Sequence, residues 1–291
     1  MTGATRLTYG SLMNNPGPEA RGVTASWWRG RRLRRRLARG ALGAMGGAVL
    51  AFLVVPVLSV IPMSFSSSMV FELIPAAPGL TQYRRFFASP DWMLALGRSV
   101  QVALGTTVVA TALGTLAALG LVRLRSRWRP VLEAALISSR IVPSIVFAVA
   151  AYFVFSQVGL VGTVAGLVLA HSVLAFPFVV VLVSSALYGL DRSLEEASRS
   201  LGAGSIRTFF RITFPQIRLA VFGGALFAFN VSFDEVVVTL FISGVHSKTL
   251  PVKVWDAILY EITPILPAIS TIIIAASVLM LTPLLLYRRR S

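Results

Sequence analysis

Six stretches of roughly 20 apolar residues divide this chain, and polar, largely basic segments separate them. A run of about 20 apolar residues forms a helix long enough to cross the roughly 30 Å hydrocarbon core of a bilayer. Only 13% of the 291 residues are charged, about half the share in soluble domains. The pattern predicts an all-α membrane protein with six transmembrane helices.

The predicted spans end at turn signals or at charged residues. They are about Ala41–Phe65, Val100–Val122, Leu132–Phe155 with Pro143 inside, Val164–Leu187 with Pro177 inside, Leu219–Phe241 and Leu266–Tyr287. The predicted organisation is a basic tail over residues 1–40, a six-span domain over 41–287 with a large inner loop over 188–218, and a short end over 288–291.

Basic residues are unevenly placed along the chain. Of the 27 lysines and arginines, nine arginines precede the first apolar run and three end the chain. Further groups fall in alternate loops, at Arg123–Arg129 and around 188–218. This is the positive-inside pattern, which predicts that both termini and the large loop face the cytoplasm. It favours anionic lipid over nucleic acid as the partner of the positive charge.

Ionisable residues suited to metal binding are scarce. The chain has no cysteine, which excludes disulfides and thiolate ligands, and its two histidines argue against a histidine-rich metal site. We therefore predict no metal site.

The large inner loop carries local helix signals. Ser193 followed three residues later by Glu196 forms a capping box, which predicts a helix start. Gly202 stands where that helix needs a left-handed end. Ser205 is expected to cap a second short helix, which Pro215 limits. A helix–turn–helix at a membrane surface has the shape of a docking element.

The spacing within this loop resembles the EAA loop of bacterial ABC importer permeases. It reads Glu196-Ala197-Ser198, three residues, Gly202, nine residues, Ile212, one residue and Phe214-Pro215. Ser198 and Phe214 depart from the family pattern, where alanine and leucine stand. The segment Gly224–Gly244 looks like the second permease subunit of spermidine/putrescine transporters.

The resemblance implies a type I ABC importer permease in the bacterial inner membrane. Such a subunit transports a polyamine or a related small solute and performs no bond chemistry. The resemblance therefore implies in addition that the chain has no cofactor and no catalytic residue. It works with a second permease, expected to be a different chain, with a cytoplasmic ATPase dimer that binds the ATP, and with an extracytoplasmic binding protein. The ATPase would contact the loop at Glu196, Ala197, Ser198, Gly202, Ile212 and Pro215. Phe209, Phe210 and Phe214 are expected to anchor the loop to the membrane domain.

Polar residues inside the predicted spans are candidates for a translocation pathway. Asn230, Asp234 and Glu235 lie in the fifth span and Arg140 in the third. Charged groups in hydrocarbon usually face a bundle interior or a water-filled path. The alternative is an internal ion pair, with Arg140 joining Asp234 or Glu235, or contact with the other permease subunit. His171 in the fourth span is expected to form a helix–helix hydrogen bond.

Two other classes of protein remain open on the residues alone. An ion-coupled secondary transporter also carries intramembrane carboxylates, and a membrane scaffold needs no transport activity. The chain's Lys-Thr pair, Lys248-Thr249, lacks the preceding glycine of a phosphate-binding loop, so ATP would have to act through a partner.

Overall fold

The computed structural model describes residues 18–68, 70–124, 126–138, 141–261 and 263–288, with side chains between residues 40 and 280 and at 282. Within these ranges all repeating structure is helical, and one isolated bridge joins Ser66 to Pro78. The helices are α1 (Pro18–Ser64), α2 (Thr81–Ala88), α3 (Pro90–Arg123), α4 (Arg129–Ile137), α5 (Ser144–Gln157), α6 (Val164–Tyr188), α7 (Arg192–Ser200), α8 (Ser205–Thr208), α9 (Phe214–Phe233), α10 (Val237–Ile242), α11 (Leu250–Tyr260) and α12 (Ile265–Arg288).

The chain divides into two units, residues 1–59 and residues 60–291. The first unit contains most of α1, a single helix of 47 residues. The second unit contains α2 to α12 and all of the candidate site residues.

Within the described ranges, four helical segments are long and apolar enough to cross a membrane. They are Gly40–Ser64, Pro90–Arg123, Val164–Tyr188 and Ser205–Phe233. These segments cover the first, second and fourth predicted spans and most of the fifth. The sixth predicted span corresponds to α12, whose described apolar part is shorter.

The third predicted span is not one helix. Its residues are divided between α4, which ends at Ile137, and α5, which begins at Ser144. Pro143 was expected inside this span but directly precedes α5. Proline lacks an N–H and its ring clashes with the carbonyl four residues back, so it is tolerated at a helix start and breaks a helix interior. Pro177, in contrast, lies inside α6 as predicted.

Three long helices, α3, α6 and α9, pack together at the centre of the second unit. A Cβ atom added to Gly114 of α3 would lie 2.7 Å from Val179 Cβ of α6, so the two backbones approach closely there only because residue 114 is glycine. The buried core between these helices comprises Ala110, Ala118, Val122, Ala175, Val179, Val183, Leu187, Ile217 and Ala228.

Shorter helices cover the two sides of this central group. The helices α5 and α10 pack with α3 and α6 around Val102, Ala148 and Leu167. At the start of α3, another buried cluster joins α2, α11 and α12 through the fully buried side chains of Phe86 and Ile269.

The fifth predicted span is wrong at both ends. Its helix starts much earlier, because α8, a π-helical turn and α9 run without interruption from Ser205 to Phe233. It then breaks at residues 234–236, and α10 continues the path to Ile242. The Glu235 side chain accepts a hydrogen bond from the Val238 N–H at 2.9 Å, which satisfies a free amide at the new helix start.

Candidate functional site

The large loop begins with a helix that is capped two residues earlier than predicted. The Asp191 carboxylate accepts a hydrogen bond from the Ser193 N–H at 2.9 Å and caps α7. Ser193 is therefore the second residue of the helix, and the predicted capping box with Glu196 does not form. The hydrogen bonds from the Ser193 backbone and hydroxyl lower the pKa of Asp191 from its usual 3.8, and the charged carboxylate suits a helix N-terminus.

The end of α7 follows the prediction. Gly202 has φ +82°, the left-handed conformation that favours glycine. The Ala203 N–H donates to the Ser198 carbonyl at 3.1 Å, and the Gly202 N–H donates to the Arg199 carbonyl at 2.9 Å. This pair of bonds is the Schellman motif, which satisfies the last carbonyls of a helix and turns the chain sharply.

Pro215 does not limit a second short helix as expected. The chain passes from α8 through the five-residue π turn Phe209–Thr213 directly into α9, with Pro215 in the first turn of α9. The wider turn, closed by the Phe214 N–H on the Phe209 carbonyl, stands where proline would disturb regular α-helical bonding. Gly204, rather than Ser205, precedes α8, and no side chain caps that helix.

Glu195 joins three elements at the base of this loop. Its Oε1 accepts hydrogen bonds from Arg123 Nη2 at 2.9 Å, at the end of α3, and from Thr213 Oγ1 at 2.5 Å, in the π turn. Its side chain is 20% exposed. Burial raises the pKa of this carboxyl, but the bonds from Thr213 and Arg123 and the charges of Arg123 and Arg199 together hold the pKa below its usual 4.5. We call Arg123, Glu195 and Thr213 the junction.

Two further hydrogen bonds brace the loop. Arg192 Nη2 donates to the Val122 carbonyl at 3.1 Å, which satisfies one of the free carbonyls at the end of α3. The Ser198 and Thr208 hydroxyls lie 3.2 Å apart and link α7 to α8. The loop is thus held to the helix bundle by its inner face.

The residues predicted to contact an ATPase lie mainly on the outer face. Glu196, Ala197, Gly202 and Pro215 are exposed, and Ser198 and Ile212 are half-buried. The Glu196 carboxylate makes no hydrogen bond or ion pair with any residue that the structure describes. It lines a cleft of about 220 Å³ that also reaches the junction. The other charged residues of this lining are Arg123, Asp191, Arg192, Glu195 and Arg199.

Apolar side chains are also uncovered on this outer face. Leu201 is 88% exposed, Ile206 77% and Phe210 61%. Phe209 packs against the central core as predicted, whereas Phe210 does not anchor the loop and points away from the bundle interior. The Phe210 ring contacts the rings of Phe209 and Phe214. It faces another direction than Phe209 because successive residues of a helical turn point apart.

The polar residues of the fifth predicted span surround the break between α9 and α10. Asn230 and Asp234 are exposed and Glu235 is half-buried. The Asp234 N–H donates to the Asn230 carbonyl at 3.1 Å, so the last turn of α9 places both residues on one face. Arg140 lies outside the described residues, and its predicted pairing with Asp234 or Glu235 stays a hypothesis.

A buried hydrogen-bond network crosses the same break. His171 of α6 lies 2.9 Å (Nδ1) from Ser232 Oγ of α9 and 3.0 Å (Nε2) from Thr239 Oγ1 of α10. Ser232 in turn donates to Thr106 of α3 at 3.2 Å. We call Thr106, His171, Ser232 and Thr239 the bridge. The predicted helix–helix hydrogen bond of His171 is confirmed, and it serves two helices instead of one.

Sequence reasoning missed the junction and the bridge as units. Glu195 and Glu196 are adjacent and chemically identical, and only the packing of α7 shows which one faces the bundle. The serine and threonine of the bridge are ordinary residues of apolar helices, and 61 or more positions separate them from His171. The polar side chains around Asp234 and Glu235 were the one available signal of a helix break.

The comparisons with known proteins agree with this architecture. Residues 110–290 match the family described as the binding-protein-dependent transport system inner membrane component. The spermidine/putrescine transport system permease protein PotC of Haemophilus influenzae is 32% identical over 229 residues, covering 79% of this chain and 89% of that protein. The putrescine transport system permease protein PotI of Escherichia coli K12 is 32% identical over 234 residues, covering 77% and 82%.

A solved structure shares the fold. It is a bacterial alginate ABC transporter in complex with an alginate pentasaccharide-bound periplasmic protein, with a TM-score of 0.65 and 13% identity over 89% of this chain and 94% of that chain. The fold and the matched sequence define a multi-pass permease of the inner membrane. The chain belongs to the family of binding-protein-dependent transport system inner membrane components.

Membership in this family decides between the classes left open by the sequence. The chain is an ABC importer permease close to the polyamine permeases, and neither an ion-coupled secondary transporter nor a membrane scaffold accounts for the match over residues 110–290.

Proposed function

We propose that this chain is the permease subunit of an ATP-driven polyamine importer, and that a cytoplasmic ATPase contacts it at the loop over residues 188–218. The observation that carries the proposal is the contrast between the two faces of that loop. The inner face is tied to the bundle by the junction, while Glu196, Leu201 and Ile206 on the outer face are uncovered. Uncovered apolar side chains beside a charged one are typical of a protein interaction site.

The outer face also has the chemistry to select its partner. The Glu196 carboxylate pairs with no residue that the structure describes, although Arg123, Arg192 and Arg199 line the same 220 Å³ cleft. It is therefore available to a basic side chain of the ATPase. Ala197 and Gly202 are small and let the backbone of a partner approach closely. Ser198, Ile212 and Pro215 form the adjoining part of the proposed contact surface. The nucleotide belongs to the partner, and this subunit needs no cofactor or metal of its own.

The proposed topology has six spans with both termini in the cytoplasm. The 14 residues of α5 extend only about 21 Å, too short to cross roughly 30 Å of hydrocarbon alone. We assign α4 and α5 together to the third span and α12 to the sixth. The tail over 1–40 and the end over 288–291 then lie on the cytoplasmic side with the large loop, as the positive charge favours.

The proposed substrate is a polyamine, because the named relatives are spermidine and putrescine permeases. Asn230, Asp234 and Glu235 are the proposed contacts for this substrate, since carboxylates attract a cationic solute. Asp234 is uncovered in this chain, and at membrane depth an uncovered carboxylate needs a water-filled path or a second subunit beside it. We therefore propose that this break lines the pathway between this chain and a second, different permease, into which an extracytoplasmic binding protein releases substrate.

Charge reversal at Glu196 tests the docking proposal. The complex is purified through a tag on this chain, and ATPase content and spermidine uptake into proteoliposomes are measured with the binding protein present. Glu196→Lys is expected to lower both roughly tenfold or more, because a buried interfacial charge that loses its partner costs about 2–5 kcal/mol.

The matched control is Glu261→Lys, an exposed carboxylate at the end of α11 that the proposed topology places on the opposite side of the membrane. That variant is expected to retain its ATPase. If Glu196→Lys keeps normal ATPase content and uptake, Glu196 does not contact the ATPase and the docking proposal is wrong.

A further inference from the structure

Glu195 and Glu196 are neighbours on α7, but they face different parts of the molecule. Successive residues of a helix point about 100° apart, and here Glu195 turns toward the bundle while Glu196 turns outward. Both carboxylates line the same cleft. Glu196 is exposed and forms no hydrogen bond or ion pair with any described residue, whereas Glu195 is 20% exposed and is held by Arg123 and Thr213. A role of Glu195 can therefore pass through the helices that it joins.

The junction connects the loop to both transmembrane helices that meet there. Arg123 is the last residue of α3, and Thr213 precedes the first residue of α9. Thr213 is fully buried, and its hydroxyl bond to Glu195 at 2.5 Å is the shortest polar contact of the junction. One carboxylate oxygen of Glu195 thus links the last residue of α3 to the π turn that continues into α9.

The junction is also set apart from the other contacts of α7 by its charge. The second bond to the end of α3, from Arg192 to the Val122 carbonyl, involves one charged partner, whereas Arg123 and Glu195 carry opposite charges. Both bonds have an ionised donor, but of the two the contact between Arg123 and Glu195 joins a positive group to a negative one. Arg199, 4.0 Å from Glu195 Oε2, adds to the positive surroundings of the carboxylate.

We infer that Glu195 is a positioning residue for energy coupling: through Arg123 and Thr213 it transmits movement of the loop to α3 and α9, without itself contacting the ATPase. This inference rests on the proposed docking of an ATPase at the outer face. Without the Glu195 carboxylate, the ATPase still binds and hydrolyses ATP, but a movement of the loop displaces α3 and α9 less. The result is fewer substrate molecules moved per ATP.

A double-mutant cycle at the junction tests the inference. Glu195→Ala, Arg123→Ala and the double variant are purified as complexes with the ATPase and the binding protein, and spermidine uptake and ATP hydrolysis are measured in the same proteoliposomes. Each single variant is expected to keep its ATPase and to lower uptake per ATP about 2- to 30-fold, the range found for residues that couple distant sites. The double variant is expected to equal the worse single variant, because both changes break one connection.

Two companions keep the result interpretable. Ser200→Ala removes only a hydrogen bond within α7, from Ser200 Oγ to the Glu196 carbonyl, and is expected to match the unmodified complex. Glu195→Gln keeps an acceptor oxygen for Thr213 and removes the charge, so it is expected to fold as the unmodified chain does and to lose part of the coupling.

Several outcomes would overturn the inference. They are unchanged uptake per ATP in Glu195→Ala and Glu195→Gln, losses in the two single variants that multiply in the double variant, or loss of the ATPase from the Glu195→Gln complex. A failure of the proposed function looks different, because the unmodified complex would then contain no ATPase at all.

Discussion

The junction and the bridge both hold helix ends together in the second unit, with opposite chemistry. The junction is charged, and Arg123 keeps 41% of its side chain exposed. The bridge is built from hydroxyls and an imidazole, and all four of its side chains are buried between α3, α6, α9 and α10. Each joins a loop or a helix break to the central helices, at different depths of the same bundle.

This difference assigns different consequences to the two networks. Water and ions can replace part of an exposed ion pair, which is why such pairs contribute little to stability. A buried donor surrounded by apolar helices finds no such substitute. Loss of the bridge should therefore lower the stability of the fold. Loss of the exposed Arg123–Glu195 pair should leave the fold intact and change how the loop is connected to it, as long as the buried Thr213 hydroxyl keeps its acceptor on Glu195.

The largest expected effect on stability comes from His171→Leu. Two hydrogen bonds are lost across the break between α9 and α10, and membrane hydrogen bonds contribute about 0.6 kcal/mol each on average with a maximum near 1.7. We expect the free energy of unfolding to fall by roughly 1–2 kcal/mol. The measurement is the midpoint of unfolding of the purified chain in increasing sodium dodecyl sulfate.

The control for His171→Leu is Thr115→Val. The Thr115 hydroxyl is buried in α3 and has no hydrogen-bond partner among the described residues, so its removal should change the midpoint little. A similar loss of stability in Arg123→Ala and His171→Leu would end the distinction between the exposed ion pair of the junction and the bridge.

A smaller effect is expected at the outer edge of the loop, from Gly202→Ala. No atom lies within 4 Å of an added Cβ at this position, so the cost comes only from φ +82°, about 1–2 kcal/mol for a residue with a side chain. The Schellman motif should open more often, and the amides of Gly202 and Ala203 should exchange faster with deuterium. Transport should fall less than in Glu196→Lys, since Gly202→Ala adds one methyl group to the docking face and leaves the Glu196 charge unchanged.

Gly204→Ala is the matched comparison. Gly204 also has open space around it but has φ −69°, which any residue adopts. Alanine there should leave exchange unchanged or slow it slightly, because it reduces the freedom of the unfolded chain. Equal acceleration in both variants would show that the left-handed turn is not what closes α7.

The sequence predicted those parts of the molecule that depend on local chemistry. Apolar length located α6 almost to the residue, and Gly202 marked the end of α7. The helix break at residues 234–236 was missed, because the apolar residues on both sides read as one span and only folding shows Glu235 capping α10. The sequence could not show whether Glu195 or Glu196 faces the bundle, for the same reason. The answer depends on the position of Arg123, which lies 72 residues from Glu195 in the chain.

The smallest expected effect is the pH dependence of the junction, read from Glu195→Gln. The pKa of Glu195 in the folded chain lies below its usual 4.5. A lowered folded pKa stabilises the fold above the unfolded pKa and loses that contribution as pH falls through the folded value. The unmodified chain should exceed Glu195→Gln in stability by less than about 1 kcal/mol, as exposed ion pairs do, and by a constant amount from pH 7 to roughly pH 5.

Below about pH 4.5 this difference should shrink toward zero, because the carboxyl of the unmodified chain then binds a proton and resembles the amide. The measurement is the unfolding midpoint of both chains at successive pH values, in a neutral detergent so that the micelle charge does not change. High salt at pH 7 should reduce the difference in the same direction by screening the pair. A difference that grows on acidification would mean that Glu195 is held protonated in the fold, and the junction would then be a neutral network like the bridge.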